Sequence, residues 1–394
     1  MKIREFDLVV YGATGFTGRL VAEHLAARAS ANPALRWALG GRNPEKLAAV
    51  RDALGLPADF PLVTADAADP AQLEGMTERT RACLTTAGPY QLYGSGLVAA
   101  CAKTGTDYLD LAGETVWMRR MIDAHAATAE ASGARVLFSC GIDSLPFEAG
   151  VMLVQEAALA ASEAPVPHVR GRVVRFDGAY SGGTIASMRA GMAAAAADPA
   201  VAALAQDPFA LTPGFRGPEQ PPGNAPAYDA ELGAWVAPFV MAAINTRNVH
   251  RSNFLRHQRY GRDFVYDEML VTGPGPKGEA TAKAIAEGLR RLGGSDDAPQ
   301  PGEGPTLAER EAGSYELHFH GTTVDGARLR SIVTGDRDPG YGSTSKVIAE
   351  TALCLLERDT DLAGGIWTPV AALGTTLLDR LAANAGLTFR TAAA

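Results

Sequence analysis

Short apolar runs alternate with stretches of helical periodicity through the first third of the chain. The apolar runs lie at 7–11, 37–40, 60–66, 82–86, 108–111 and 135–139, each of a length suited to a strand. Between them the apolar positions recur at helical spacing. Arg19 to Leu25 is one such stretch. From Pro44 on, Leu47, Val50 and Leu54 share a face, with Asn43 placed to cap the helix. Further helical patterns follow Asp69-Pro70 and occupy 95–103 and 115–132. Six strands interleaved with helices predict an α/β unit, a doubly wound parallel sheet of the Rossmann kind. Such sheets bind ligands at the carboxyl ends of their strands. Polar and glycine residues cluster there: Asp66-Ala67, Ala87-Gly88-Pro89-Tyr90 and Gly141-Ile142-Asp143-Ser144.

Past about residue 150 the rhythm changes. Residues 169–176 alternate as a strand with one wet face. The alanine-rich stretch 190–205 is interrupted by Asp198-Pro199 and predicts a broken helix rather than a membrane span. Residues 207–238 are rich in proline and glycine and predict a long loop, a lid or substrate-side excursion rather than a packed element. Strands are expected at 264–266 and 269–271, an amphipathic helix at 279–292, and an exposed linker at 296–305. Residues 315–320 and 329–333 predict antiparallel neighbours joined at Asp325-Gly326, and 343–356 a helix. This is an α+β second domain. The boundaries expected are 1–145 for the first domain, 146–340 for the second, and 341–394 for a C-terminal segment.

The first strand runs straight into Gly12-Ala13-Thr14-Gly15-Phe16-Thr17-Gly18. In this strand–turn–helix context the three glycines read as a dinucleotide-binding turn. Gly12 permits the tight turn, Gly15 lets a pyrophosphate approach, and Gly18 lets the helix pack on the strand. Thr14, Phe16 and Thr17 complete the turn, whose helix N-terminus offers free N–H groups to phosphate. An NAD site would carry an acid at the end of the second strand. Here that place holds Arg42, followed by Asn43. A guanidinium there suits a 2′-phosphate and predicts NADP(H).

The chain has 394 residues, enough for two domains, and a formal net charge of −8. With no long basic run, nucleic acid is disfavoured as the main partner. The four cysteines form no CxxC pair, which disfavours a metal site or disulfide framework and suits a reducing, cytoplasmic setting. No metal is expected. His318 and His320 share a strand face, read as solvated, and Arg247, Arg251, Arg256, Arg259 and Arg262 are read as a wet basic face. The Tyr-x-x-x-Lys pair of short-chain dehydrogenases is missing: Tyr341 and Lys346 are five apart.

The stretches VVYGATGFTG, ALGGRNPEKL, TTAGPYQLYG, ACAKTGTDYLDLAGE, CGIDSLPFEAG, SGGTIASM, DPGYGSTSKVIAETAL and GGIWTPVAALG resemble the saccharopine-dehydrogenase-like oxidoreductases, above all their trans-acting enoyl reductase branch. The resemblance runs from Leu8 to Gly374. It implies an NADPH-binding domain, an α+β substrate domain, and last helices that return to the first domain. It also implies reduction of an activated C=C bond in a polyketide-type acyl chain, free or linked to a carrier as a thioester. The saccharopine branch acts instead on amino-acid imines, and a sensor without turnover is a third reading. A homodimer is left open.

Within these stretches, Ala87, Gly88 and Pro89 are expected to touch the nicotinamide ribose, with Asp66 and Asp143 also near the cofactor. Tyr90 is expected to donate a proton or orient the substrate or, alternatively, to pack the turn. Ser181 and Thr184 of the SGGT turn either hold a carbonyl oxygen or cap a helix. Asp143 or Ser144 is expected to cap the helix that follows.

Overall fold

The computed structural model describes every residue except 1–3, 179–181, 292–303, 358–361 and 394. The strands in chain order are β1 (Phe6–Tyr11), β2 (Trp37–Gly41), β3 (Leu62–Thr64), β4 (Thr80–Thr85), β5 (Asp107–Leu109), β6 (Arg135–Leu137), β7 (His168–Asp177), β8 (Ala227–Asp229), β9 (Ala234–Pro238), β10 (Val265–Gly273), β11 (Ser314–Thr322), β12 (Arg328–Gly335), β13 (Gly365–Trp367) and β14 (Leu387–Ala393). The helices are α1 (Phe16–Ala31), α2 (Pro44–Ala53), α3 (Pro70–Thr77), α4 (Tyr90–Tyr93), α5 (Ser95–Thr104), α6 (Thr115–Ser132), α7 (Leu145–Ser162), α8 (Gly182–Ala197), α9 (Pro199–Gln206), α10 (Ala242–Leu255), α11 (Gly275–Arg291), α12 (Leu307–Ala312), α13 (Thr344–Glu357) and α14 (Pro369–Asn384).

The first sheet is parallel, in the order β13-β6-β5-β4-β1-β2-β3. Its strands are apolar on both faces because helices cover both. Leu8 and Val10 of β1 join Val21 and Leu25 of α1 in one core, while Val9 joins Val98 of α5 and Met118 of α6 in another. This is the doubly wound sheet that the alternation predicts, with β13 as a further edge strand. Three residues of Gly-Ile-Trp carry no periodicity, so β13 had no signature in the sequence.

The second sheet is mixed, ordered β14-β12-β11-β7-β10-β9-β8. β7 and β10 run parallel, and the other pairs are antiparallel. β10 is one continuous strand where two were expected.

The 207–238 segment is a correction. It is no free loop: β8 and β9 join the sheet, and Phe209 and Leu211 are buried. Arg119 Nη1 donates to Ala210 O (2.9 Å) and Arg251 Nη1 to Leu211 O (2.6 Å), fastening it down. The wet basic face is corrected with it. Arg247 and Arg251 are buried on α10, their guanidiniums bound to the backbone carbonyls of Ala205, Leu211 and Ile366. Arg256 and Arg259 pair with Glu156 nearer the surface, and Arg262 is exposed as expected, over the Phe215 ring. The alanine-rich helix breaks as expected between α8 and α9, where Asp198 Oδ1 accepts from Ala200 N at 2.8 Å.

The C-terminal segment serves both sheets. α13 packs on α1 and β4, β13 joins the first sheet, and β14 pairs with β12 in the second. Glu350 of α13 is wholly buried. His24 Nε2 (2.8 Å) and Arg28 Nε (2.9 Å) of α1 lie against its Oε1, and Arg380 Nε of α14 donates to its Oε2 (2.7 Å). Among the described residues, no helix is long and apolar enough to cross a membrane.

Candidate active site

β1 delivers the chain into the glycine turn. Gly12 takes φ +85°, a conformation that other residues adopt only with strain, and a Cβ there would sit 3.0 Å from Ala87 N. A Cβ on Gly18 would lie 2.2 Å from Gly12 O, so α1 can approach β1 only through a glycine. Gly15 is different. It is exposed, and a Cβ there would meet only Gly12 O at 3.3 Å. Its missing side chain therefore keeps open space outside the turn, where a ligand would lie. No side chain caps α1, so its first-turn N–H groups remain available to an anion. Thr14 and Thr17 are half-buried beside them. Phe16 turns back into the protein, edge-on to Tyr341 (5.2 Å between centroids) and under the guanidinium of Arg310 (5.9 Å).

At the end of β2, Arg42 is exposed and pairs with no acid among the described residues. Asn43 caps α2, its Oδ1 accepting from Lys46 N at 2.7 Å. Such a cap contributes about 1 kcal/mol. Asp66 is exposed at the end of the next strand, one oxygen accepting from Ala68 N at 2.9 Å.

The AGPY stretch abuts the glycine turn. Thr86 Oγ1 donates to Gly12 O (3.3 Å), Ala87 touches Gly12, and Gly88-Pro89 is a cis peptide. Tyr90 faces inward. Its hydroxyl donates to Thr85 O (3.2 Å), accepts from Leu111 N (3.1 Å), and its ring stacks on Trp117 (5.5 Å). Burial raises the phenol far above its ordinary value. The packing alternative thus describes Tyr90, and we assign it no proton transfer.

Sequence reasoning missed Glu114. Its carboxylate accepts from Tyr90 N (2.8 Å) and Gln91 N (2.7 Å), capping the short α4, and also from Ser187 Oγ of α8 (2.9 Å). Only tertiary contact reveals this, because 73 residues separate Glu114 from Ser187. The bond places α8, from the second domain, against the AGPY turn of the first. On α4, Leu92 is 63% and Tyr93 49% exposed beside that contact. Ser181 lies outside the described residues, as does the Thr184 side chain.

Past β6 the chain crosses between the domains. Ile142 N donates to Thr344 Oγ1 (3.1 Å), and Ser144 Oγ accepts from Asn248 Nδ2 (2.8 Å). Ser144 stands at the head of α7 without capping it with its side chain, because its hydroxyl is turned to α10. Asp143 makes no hydrogen bond to any described residue, and burial pushes its carboxyl up to about 6. The acids on the elements before and after it are committed elsewhere. Asp110 accepts from Ala112 N, Ser139 N and Tyr108 OH, and Glu148 is fully buried against Ser252.

Residues 8–137 match the family model of the saccharopine dehydrogenase NADP binding domain. A Mycobacterium tuberculosis protein provisionally named a trans-acting enoyl reductase is 41% identical over 415 residues, 98% of each chain. The trans-acting enoyl reductase of Mycobacterium ulcerans is 38% identical over 406 residues, 96% of each. This chain belongs to the trans-acting enoyl reductase family. Its fold is also that of saccharopine dehydrogenase (L-Glu forming) from Saccharomyces cerevisiae, with TM-score 0.55 and 11% identity over 98% of this chain and 100% of that one.

As a member of this enoyl reductase family, the chain is an NADP-dependent oxidoreductase. The residues fit the cofactor. An open Gly15, an uncapped α1 and an Arg42 with no acid partner among the described residues offer a pyrophosphate and a 2′-phosphate their partners, and we propose that they hold them. Ala87 abuts Gly12 of this turn, and we propose that Asp66 and the Ala87–Pro89 backbone flank the adenine and nicotinamide halves. Arg42→Ala is expected to weaken NADPH binding by one charge-assisted contact, about 1.5–3 kcal/mol or roughly tenfold to a hundredfold in Kd, and to leave NADH binding nearly unchanged. Fluorescence titration of both cofactors checks this; equal affinity for NADPH and NADH before mutation would overturn the role of Arg42.

Proposed function

We propose that the protein reduces the C=C bond of an α,β-unsaturated acyl thioester, held between the AGPY turn and α8. The observation that supports this reading is the Ser187–Glu114 bond, which brings the helix that begins within the SGGT stretch onto the AGPY turn. The exposed Leu92 and Tyr93 beside it give an acyl chain apolar surface.

When bound, NADPH supplies a hydride to the β-carbon. The chain's own residues then have two tasks. Negative charge gathers on the thioester oxygen, and by their residue chemistry we assign Ser181 and Thr184 as its hydroxyl donors. The α-carbon needs a proton. Asp143 is our candidate donor, because it combines a raised pKa with the absence of any partner among the described residues. Carrier linkage of the substrate belongs to this proposal, and so does a cytoplasmic setting.

The test offers unsaturated thioesters and amino-acid imines side by side, following NADPH loss. Turnover is expected on the thioesters. It should fall as pH rises through about 6, since the acid form of Asp143 is then lost. Asp143→Asn should lower turnover and flatten that limb while NADPH binding persists. Turnover on imines alone would replace this reading with amino-acid imine reduction, and NADPH consumption with neither class would leave a nucleotide-binding sensor.

A further inference from the structure

The second sheet has two faces. On one, Tyr315, Leu317 and Phe319 of β11 are fully buried, and α7 packs across β11 and β12. The alternating residues Glu316, His318 and His320 point the other way. That face is not simply solvated. At its far end the turn between β8 and β9 folds over the β11–β12 hairpin and encloses a pocket of about 190 Å³.

The floor of this pocket is basic. His320 and Arg330 are directly opposed across β11 and β12, and Arg328 follows on the same face of β12. Arg330 Nε and His320 Nε2 are buried and have no hydrogen-bond partner. Neither Arg328 nor Arg330 pairs with an acid among the described residues. The pocket's one acid, Glu231, is bound to Arg170 of β7. Buried donors without partners are rare in folded proteins, and two unpaired guanidiniums beside one pocket call for an anion.

We propose that this pocket is a second anion site, built for a tetrahedral oxyanion of charge −2: inorganic phosphate or a phosphomonoester. It is separate from the nucleotide turn. Arg330 precedes Gly335 by five residues, about 17 Å of strand, and only beyond Gly335 does the chain reach Tyr341 and its contact with Phe16. The proposal is independent of the enoyl reading. Burial, then His318, Arg170, Arg330 and Arg172, push His320 down to about 4, so its ring is neutral at pH 7. Arg328, which is exposed, also lines the pocket, and Glu231 is the acid among its described lining residues. A bound dianion reverses the field and raises His320.

The test uses the full-length protein saturated with NADPH, so that the nucleotide turn is occupied. Sulfate is titrated against chloride at fixed ionic strength, by calorimetry and by the imidazole resonance of His320. Sulfate keeps its charge across the pH range of the experiment. Saturable binding is expected, with the His320 titration moved to higher pH. Arg330→Met and Arg328→Met should each weaken binding tenfold or more, with NADPH affinity unchanged as the control for folding. Phenyl phosphate binding tighter than phosphate would mark an esterified ligand, and the reverse order free phosphate; both support the site. The proposal is overturned if sulfate does not saturate, or if it binds the Arg330→Met protein as tightly as the unmutated one.

Discussion

Replacing Gly15 by valine is expected to abolish NADPH binding in a chain that still folds. Gly15 has ordinary extended geometry, φ −74° and ψ 167°, so a side chain costs no backbone strain. A Cβ there would meet only Gly12 O at 3.3 Å within the protein. The branched side chain instead fills the space outside the turn, over the N–H groups at the head of α1, where a pyrophosphate must come to lie. The neighbouring glycine gives the opposite outcome. In Gly18→Ala the new methyl would sit 2.2 Å from Gly12 O and 2.9 Å from the Cα of Ala13, both backbone atoms that cannot swing aside. That variant should lose stability as well as binding. Circular dichroism melts beside cofactor titrations separate the two. A folded Gly15→Val protein with normal NADPH affinity would remove the turn from the cofactor site.

Glu350→Ala is expected to destabilise the fold by about 3 kcal/mol, the lower end for breaking a buried ion pair because Arg28 is about a third exposed. The loss leaves His24, Arg28 and Arg380 facing an empty place between α1, α13 and α14. The sign of the pH dependence follows from the carboxyl. Burial works to raise its pKa, but the His24 bond and the charges of Arg380 and Arg28 outweigh it, and the value is lowered. Its contribution is therefore fully present above the unfolded value of about 4.3 and is lost as pH falls through the folded one. Urea melts at pH 7 should show the full difference between the two proteins, and melts under strongly acid conditions a smaller one. Equal midpoints at pH 7 would show that the cluster contributes nothing to stability.

Six of the seven strands of the first sheet were legible because a strand buried on both faces reads as an unbroken apolar run. The glycine turn and the Asn43 cap were legible because local backbone geometry selects those residues. The same logic located the break at Asp198-Pro199. What escaped was set by distant contacts. Pro and Gly in 207–238 spoke for a loop, yet β8 forms a short edge strand, β9 pairs on both sides and ends on its proline, and two arginines from elsewhere in the chain hold the segment down. Tyr90 looked free for chemistry because its two hydrogen-bond partners are backbone groups, which have no signature in sequence. The carboxylate of Glu114 could not be matched with Ser187 for the same reason, and the open sheet face looked solvated until the β8–β9 turn was seen to cover it.

The placement of β13 and β14 has a consequence for how the protein is made. A ribosome delivers the first six parallel strands long before Gly365–Trp367, which pair with the exposed edge of β6. The second sheet likewise waits for β14 to cover β12. Throughout most of synthesis, both nascent sheets present an open edge, the kind of template on which chains misassociate. Neither half can be finished as an early cotranslational unit. The joining of β13 to β6 and of β14 to β12, not the emergence of the first six strands, is what completes the two sheets.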